Sequence, residues 1–110
     1  ERVAVLKSLS TLPGPERFLE IGVEAVRSHV QDVFEGIACD NPYPAAFFPE
    51  SAFNQLITKA MFVDVPLARV HAWETRNNDE LRRMARDFAA ERSAAGRPVP
   101  ADVDLVTSTE

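Results

Sequence analysis

The polar residues best suited to hold a small ligand lie between residues 41 and 59. Asn41 and Tyr43 belong to a proline-bearing loop, and Asn54, Gln55 and Lys59 flank the apolar stripe of the helix that follows. Amide, phenol and ammonium groups offer donors and acceptors that orient a small polar molecule. We therefore treat these five residues as the candidate binding patch of the chain.

Each residue of this patch also has a purely structural interpretation. Asn54 is then expected to hydrogen-bond the backbone of the Asn41–Tyr43 loop, and Lys59 is a solvated charge. Tyr43 anchors the loop or fills the core while its hydroxyl still reaches water. Both interpretations stay open on the sequence alone.

The sequence supports a catalytic role less well than a binding role. Cys39 is the only cysteine and ends an apolar helical stripe, which is typical of a small buried hydrophobic residue. A catalytic thiol needs a nearby base, and His29 lies well before it with nothing to connect the two. Asp40 and Glu50 permit an acid/base pair, although a turn and a helix start explain them more simply. We predict no catalytic residue.

A metal site is also not predicted. His71 and Glu74 are three positions apart, a spacing that permits two ligands on one side of a helix. No third ligand has a fitting spacing. The sequence also contains no glycine-rich phosphate loop, no nucleophile elbow and no zinc signature. We predict neither a metal nor a cofactor.

Helical apolar stripes recur along the chain and predict an all-α fold of five or six helices with no sheet. Proline, glycine, serine and asparagine residues set the helix ends. Ser28 and Gln31 have the spacing of a capping box. Asn77 or Asn78 is expected to cap the last helix, and Gly96 to end it. The predicted helices cover about 2–10, 15–27, 28–40, 49–62, 66–73 and 78–95.

These helices are expected to pair in chain order, at about 30 residues per pair, near the length of helical repeats. We predict a short α-α superhelix of HEAT-like helix pairs or a compact helical bundle. Residues 1–97 form the domain, and residues 98–110 form a mobile or docked tail without a helical stripe. Pro42 and Pro44 favour extended conformations in the loop that joins the two halves. Gly22 is expected to permit a close helix crossing.

The overall charge and hydropathy exclude some partners. The chain carries 12 basic and 17 acidic residues, for a net charge of −5, which argues against nucleic acid as the main partner. The longest apolar runs are far too short to span a bilayer. The single cysteine fits a reducing compartment, and we predict a cytoplasmic protein. The chain opens with Glu1 rather than Met, so we expect a trimmed chain or the later part of a longer protein.

The separated motifs of the chain are Asn41-Pro42-Tyr43-Pro44, Phe48-Pro49-Glu50, Phe53-Asn54-Gln55, Ala60, Phe62, Val65-Pro66-Leu67, Glu80-Leu81, Met84, Asp87, Glu91-Arg92 and Ala95-Gly96-Arg97-Pro98-Val99. These motifs resemble the EboA family, well over residues 38–99 and loosely before them. The family is bacterial and belongs to the ebo gene cluster, which is associated with the movement or processing of secondary metabolites. Neighbouring genes encode a prenyltransferase-like membrane protein and hydrolase-like proteins. The resemblance implies a role in that pathway and carries over no catalytic residue.

Two functions from different classes follow. The first is a non-catalytic helical adaptor that binds proteins of the same gene cluster, or itself, in metabolite handling. The second is a small-molecule carrier or enzyme that uses the Asn41–Lys59 patch. A concave pocket that gathers Tyr43, Asn54 and Lys59 favours the second, and a flat apolar patch favours the first. Helix 1 is apolar on more than one side, through Val5 among others, so we also expect self-association or a covering upstream segment there.

Overall fold

A computed structural model describes residues 2–108, and over this range the chain is helical, as the sequence predicts. No β-strand occurs among these residues, and 3₁₀ turns link several of the helices. Residues 2–108 form seven α-helices rather than five or six, because segments expected to be a loop and a tail are helical, while the segment predicted as a helix over 66–73 is not α-helical. They are α1 (Arg2–Ser8), α2 (Leu19–Val26), α3 (Gln31–Ala38), α4 (Tyr43–Phe47), α5 (Glu50–Phe62), α6 (Asp79–Ala94) and α7 (Asp102–Thr107).

The longest helix, α6, has both caps that the sequence predicts. Asn78 Oδ1 accepts a hydrogen bond from the Leu81 N–H at 2.8 Å, which satisfies one of the free donors of the first turn. At the other end, Gly96 adopts φ +71° and the Arg97 N–H donates to the Arg92 carbonyl at 2.8 Å. This bonding is that of a Schellman cap, and it ends the helix where the sequence indicates.

One predicted helix is shorter than expected and another is not formed as an α-helix, because 3₁₀ turns replace them in part or in full. Residues Pro15–Phe18 form a 3₁₀ turn that leads into α2, and the segment predicted as a helix over 66–73 contains the 3₁₀ turn Leu67–Arg69. A second 3₁₀ turn begins at Trp73. Such turns are common at helix starts and as connectors, where few hydrogen bonds hold the chain.

The predicted capping box at the start of α3 is not formed. Ser28 Oγ instead accepts a hydrogen bond from the Val30 N–H at 3.0 Å. Val30 has extended backbone angles and is the N-cap of a helix that begins at Gln31. A serine side chain that bonds the backbone two residues on turns the chain, so the helix starts later than the Ser28–Gln31 spacing predicts.

Asn41 holds the front half of the fold together. Its Nδ2 donates to the carbonyl oxygens of Leu6 at 2.8 Å and Gly36 at 3.0 Å. Its Oδ1 accepts a hydrogen bond from the Tyr43 N–H at 3.0 Å. The last bond turns the chain into the short helix α4, so the extended conformation predicted for Tyr43 is wrong. Pro44 fits there because the first residues of a helix need no N–H partner.

The helices do not form the pairs that the sequence predicts. The closest packing joins α1 to α3, α3 to α2, α2 to α5, α5 to α6 and α6 to α7. The predicted pairing of the first helix with the second is therefore wrong, because α3 lies between α1 and α2. The predicted pairing of the third helix with the fourth is wrong too, because α3 packs mainly on α1 and α2 rather than on α5. Gly22 permits the expected close approach, since a Cβ there would lie 3.1 Å from Phe48 Cε1 and 3.3 Å from Ile37 Cδ1.

The C-terminal segment contains a helix that the sequence did not predict. Helix α7 buries Val103 and Val106 against the rest of the domain, and α6 is its main neighbour. Asp102 Oδ2 accepts a hydrogen bond from the Leu67 N–H at 2.9 Å. Of the two states expected for this segment, the described part is docked rather than mobile. The division of the chain into a domain and a tail at residue 98 stays a prediction.

Candidate functional site

The five residues of the predicted patch do not converge on one surface. Asn41 and Tyr43 are buried, and the hydrogen bonds of Asn41 all go to the backbone of its own surroundings. Tyr43 Oη donates to the Pro15 carbonyl at 2.6 Å, and burial raises the pKa of the Tyr43 phenol. These two side chains anchor the loop to the core.

Asn54 bonds a different partner from the one that the sequence suggested. It forms a reciprocal pair with Asn78, in which Asn78 Nδ2 donates to Asn54 Oδ1 at 2.9 Å and Asn54 Nδ2 donates to Asn78 Oδ1 at 3.3 Å. The predicted bond to the Asn41–Tyr43 loop is wrong, because Asn54 faces the N-cap of α6. Gln55, the next residue, is exposed.

Lys59 is the one member of the patch that borders an open groove. Its ammonium donates to the carbonyl oxygens of Val26 and Ser28, both at 2.6 Å, and lies 4.8 Å from the centroid of the Phe34 ring. The Val26 carbonyl ends α2 and the Ser28 carbonyl lies just beyond it, where a cation is favoured by the helix dipole. Burial removes water from the ammonium and lowers the pKa of Lys59. Lys59 is thus an ordered cation rather than a solvated one.

This groove has two aromatic rings on its wall, Phe62 and Phe88, and we call it the aromatic groove. It has a volume of about 450 Å³ and runs between the C-terminal half of α5, the α2–α3 connection and α6. The Phe62 ring is 61% exposed, and it meets the Phe88 ring edge to face, with centroids 6.5 Å apart. The lining residues are Ser28, His29, Gln31, Thr58, Lys59, Phe62, Val63 and Phe88.

A second pocket adjoins the aromatic groove and shares Phe62 and Phe88 with it. We call it the arginine pocket; its volume is about 350 Å³. The Arg92 guanidinium lies 5.4 Å from the centroid of the Phe88 ring, and Arg92 Nε donates to the Pro98 carbonyl at 3.2 Å. The lining residues are Phe62, Phe88, Glu91, Arg92, Ala95 and Arg97. An apolar wall therefore continues directly into a cationic end.

The other predicted chemistry falls elsewhere. Asp40, His71 and Glu74 border a polar pocket of about 410 Å³, but among residues 2–108 no three His, Cys, Asp or Glu side chains are placed to hold a metal ion together. Glu50, the predicted partner of Asp40, does not line that pocket. Cys39 is buried, and its burial raises the pKa of the thiol. A protonated, enclosed thiol is a poor nucleophile.

Sequence reasoning did not single out Phe62 and Phe88 as site residues. Phe88 fits the apolar face of α6, and Phe62 is part of the family-like motif only. The sequence contained one signal that Phe62 is a site residue. Phe62 follows Thr58 by one helical turn, so it lies on the same face of the helix as a polar residue. An aromatic residue on the polar face of an amphipathic helix indicates a surface that binds a ligand or another protein. The contact between the Phe62 and Phe88 rings has no such signal, because it depends on how α5 and α6 pack.

The fold and the groove together define a class, an all-α domain with an aromatic surface groove that ends in a cationic pocket. Residues 1–107 match the family model described as metabolite traffic protein EboA. The chain therefore belongs to the EboA family, and the match extends beyond the motifs that carry the resemblance. No match was found among curated proteins or among solved structures. None of the helices in residues 2–108 has the length and apolar character needed to cross a membrane.

Proposed function

We propose that this protein is a non-catalytic carrier that binds an apolar part of a small metabolite in the aromatic groove. The observation that carries the proposal is the Phe62–Phe88 pair, whose Phe62 ring is 61% exposed at the groove. A phenyl ring left in water loses the favourable free energy that its burial would give. The groove of about 450 Å³ falls within the range of small-molecule sites, roughly 300–1,000 Å³.

The family and the chemistry of the groove agree with this proposal. A family described by metabolite traffic calls for a protein that holds a metabolite, which does not require catalysis. The groove residues include no cysteine or carboxylate. The single imidazole there, His29, is accompanied by hydroxyl, amide, ammonium and apolar groups. Such a surface offers apolar contact with a few polar anchors, which is the usual composition of a binding site.

Binding of a neutral apolar probe tests the proposal. N-phenyl-1-naphthylamine fluoresces more strongly in apolar sites, so we expect a saturable rise in its fluorescence with the wild-type protein. Phe62→Ala should weaken probe binding about tenfold, since loss of the exposed ring removes contact worth roughly 1–2 kcal/mol. The matched control is Val30→Ala, because Val30 is 57% exposed and does not line the groove.

The outcome that would contradict the carrier is equally specific. Probe binding that is not saturable, or that Phe62→Ala and Phe88→Ala leave unchanged, would show that the groove is not the site. Circular dichroism must first show that both variants keep their helical content, because Phe88 is partly buried.

A helical adaptor is the second candidate. Exposed apolar side chains outside the groove favour it, namely Val5, Ile21 and Val30. Its partners would be proteins encoded in the same cluster, or a second copy of the chain. A pull-down with those purified proteins, repeated with Ile21→Asp and Phe62→Ala, separates the candidates. Loss of partner binding with Ile21→Asp but not with Phe62→Ala supports the adaptor. If the wild-type protein retains none of the purified proteins, the adaptor is contradicted. For both candidates we propose a cytoplasmic location, which the unpaired, buried Cys39 supports.

A further inference from the structure

We propose that the molecule bound in the aromatic groove carries an acidic group, which Arg92 and Arg97 hold in the arginine pocket. This inference rests on the proposed carrier function and names the class of its ligand, a free amphipathic acid with one apolar end. It follows from three features of the two adjoining pockets: their charge, the partners of their cations, and the position of Arg92 on the aromatic wall.

The charge of the two pockets is opposite to that of the chain. Three cationic side chains line them, Lys59, Arg92 and Arg97, and Glu91 is the one carboxylate that does. The whole chain has 17 acidic and 12 basic residues. An acidic protein with a cationic groove attracts anions to that groove and repels them elsewhere.

In the part of the chain that the structure describes, the cations that line the two pockets are not neutralised by carboxylates, unlike four of the arginines elsewhere in the domain. Within residues 2–108, no ion pair joins Lys59, Arg92 or Arg97 to a carboxylate. Four arginines elsewhere are paired, and these are Arg27 with Glu24, Arg69 with Glu35 and Asp40, Arg82 with Asp79, and Arg83 with Glu80 and Asp87. Other cations within residues 2–108, among them Arg17 and Arg86, also form no ion pair, but Lys59, Arg92 and Arg97 line the two adjoining pockets at the aromatic wall.

The arginines, rather than Lys59, are assigned to the acidic group. The Lys59 ammonium already donates to two carbonyl oxygens, so it retains little capacity for a ligand. Arg92 uses Nε for the Pro98 carbonyl, and no hydrogen bond within residues 2–108 engages its two terminal nitrogens. A guanidinium has a fork of donors that matches a carboxylate with two parallel hydrogen bonds.

The position of Arg92 over Phe88 sets the geometry of the ligand. The guanidinium lies 5.4 Å from the ring centroid, so its charge is held at the edge of the apolar wall. A ligand that covers Phe62 and Phe88 with its apolar part would place its acidic end at Arg92.

The test compares three ligands with the same alkyl chain. Decanoate and decylammonium are titrated below their micelle concentrations, and 1-decanol below its solubility limit, while displacement of N-phenyl-1-naphthylamine is followed. We expect decanoate to bind about tenfold more tightly than 1-decanol, and decylammonium to bind most weakly. The double variant Arg92→Gln with Arg97→Gln should remove the preference for decanoate and leave 1-decanol binding unchanged. The control is the double variant Arg82→Gln with Arg83→Gln. It removes the same two positive charges at arginines of α6 that form ion pairs, and it should keep the preference for decanoate.

The outcomes separate this inference from the carrier function. Equal binding of decanoate and 1-decanol, unaffected by the double variant, would overturn the acidic ligand while leaving the carrier intact. Absence of binding by all three ligands and by the neutral probe would overturn both. Sedimentation with phosphatidylglycerol vesicles, without decanoate binding, would assign the cations to a membrane surface and overturn the free acid.

Discussion

Single buried amides carry much of the specificity of this fold, and the Asn54–Asn78 pair is the clearest case. Asn78 caps α6 through the Leu81 N–H and at the same time exchanges two hydrogen bonds with Asn54. The pair therefore joins α5 to the start of α6. A buried amide that loses its partner leaves unsatisfied donors and acceptors, which costs more than the hydrogen bond itself stabilises.

Asn54→Leu should lower the free energy of unfolding by roughly 1–3 kcal/mol, because the Asn78 amide loses a buried partner. Urea titration followed by circular dichroism measures the loss. Gln55→Leu is the matched control, since Gln55 is exposed and adjacent, and it should change stability by less than about 0.5 kcal/mol. Unchanged stability of Asn54→Leu with weaker ligand or partner binding would instead make Asn54 a functional residue.

Tyr43 offers a second test at the scale of one residue, because it is the only tyrosine in the chain. Its phenol is buried and donates to the Pro15 carbonyl at 2.6 Å, and burial raises its pKa. A raised pKa in the folded state means that the stabilisation is complete below about pH 10, the unfolded value. It is lost as the pH rises through the folded value, because the unfolded chain releases the proton first.

We therefore expect the absorbance change of the phenolate near 295 nm to occur at a higher pH in the folded protein than in urea. Tyr43→Phe should lower stability by about 1 kcal/mol at neutral pH and remove this contribution to the alkaline loss of stability. A phenol that titrates at its ordinary pKa in the folded protein would show that Tyr43 is accessible to water.

At the scale of elements, the packing of α7 on α6 completes the back half of the domain. Val103 and Val106 are buried, and two side-chain hydrogen bonds fix the helix from outside. Asp102 Oδ2 accepts from the Leu67 N–H at 2.9 Å, and Asn77 Nδ2 donates to the Val106 carbonyl at 3.1 Å. So short a helix has little stability of its own, so these tertiary contacts account for it.

Val106→Ala should destabilise the protein by about 2 kcal/mol, since it removes buried methyl groups and leaves a cavity. Leu105→Ala is the control on the same helix, because Leu105 is 49% exposed, and it should cost less than about 0.5 kcal/mol. Thermal unfolding of both variants measures the difference. Equal effects would mean that α7 is not docked in solution.

At the scale of the whole molecule, the open apolar surface is divided between the groove and isolated side chains. Leu6 and Leu9 are buried within the chain, and Leu12 is half-buried. Val5 remains 45% exposed. The structure thus covers most of the apolar surface of the first helix, and the prediction of self-association there now depends on Val5.

We expect light scattering over a dilution series to give a mass above the 12.2 kDa of one chain at high concentration. Val5→Asp should shift the protein to the monomer, because a charge in an apolar contact is costly to bury. Val99→Asp places the same charge at another exposed valine and should change nothing. A monomer at every concentration would contradict self-association through Val5. An obligate interface would bury on the order of 2,000 Å².

The sequence by itself determined the features that depend on local interactions. Helical periodicity gave the all-α class, and the caps Asn78 and Gly96 set the ends of α6, because these signals involve residues within one or two turns. The separated motifs also indicated the EboA family before the match over residues 1–107 showed it.

Only the tertiary structure decided which distant side chains meet. It placed α3 between α1 and α2, gave Asn54 the partner Asn78, and set Phe62 against Phe88 to form the groove. It also stabilised α7, which is too short to be favoured by periodicity alone. Contacts between helices depend on how their surfaces pack together, and residues far apart in the chain carry no periodic signal of that packing.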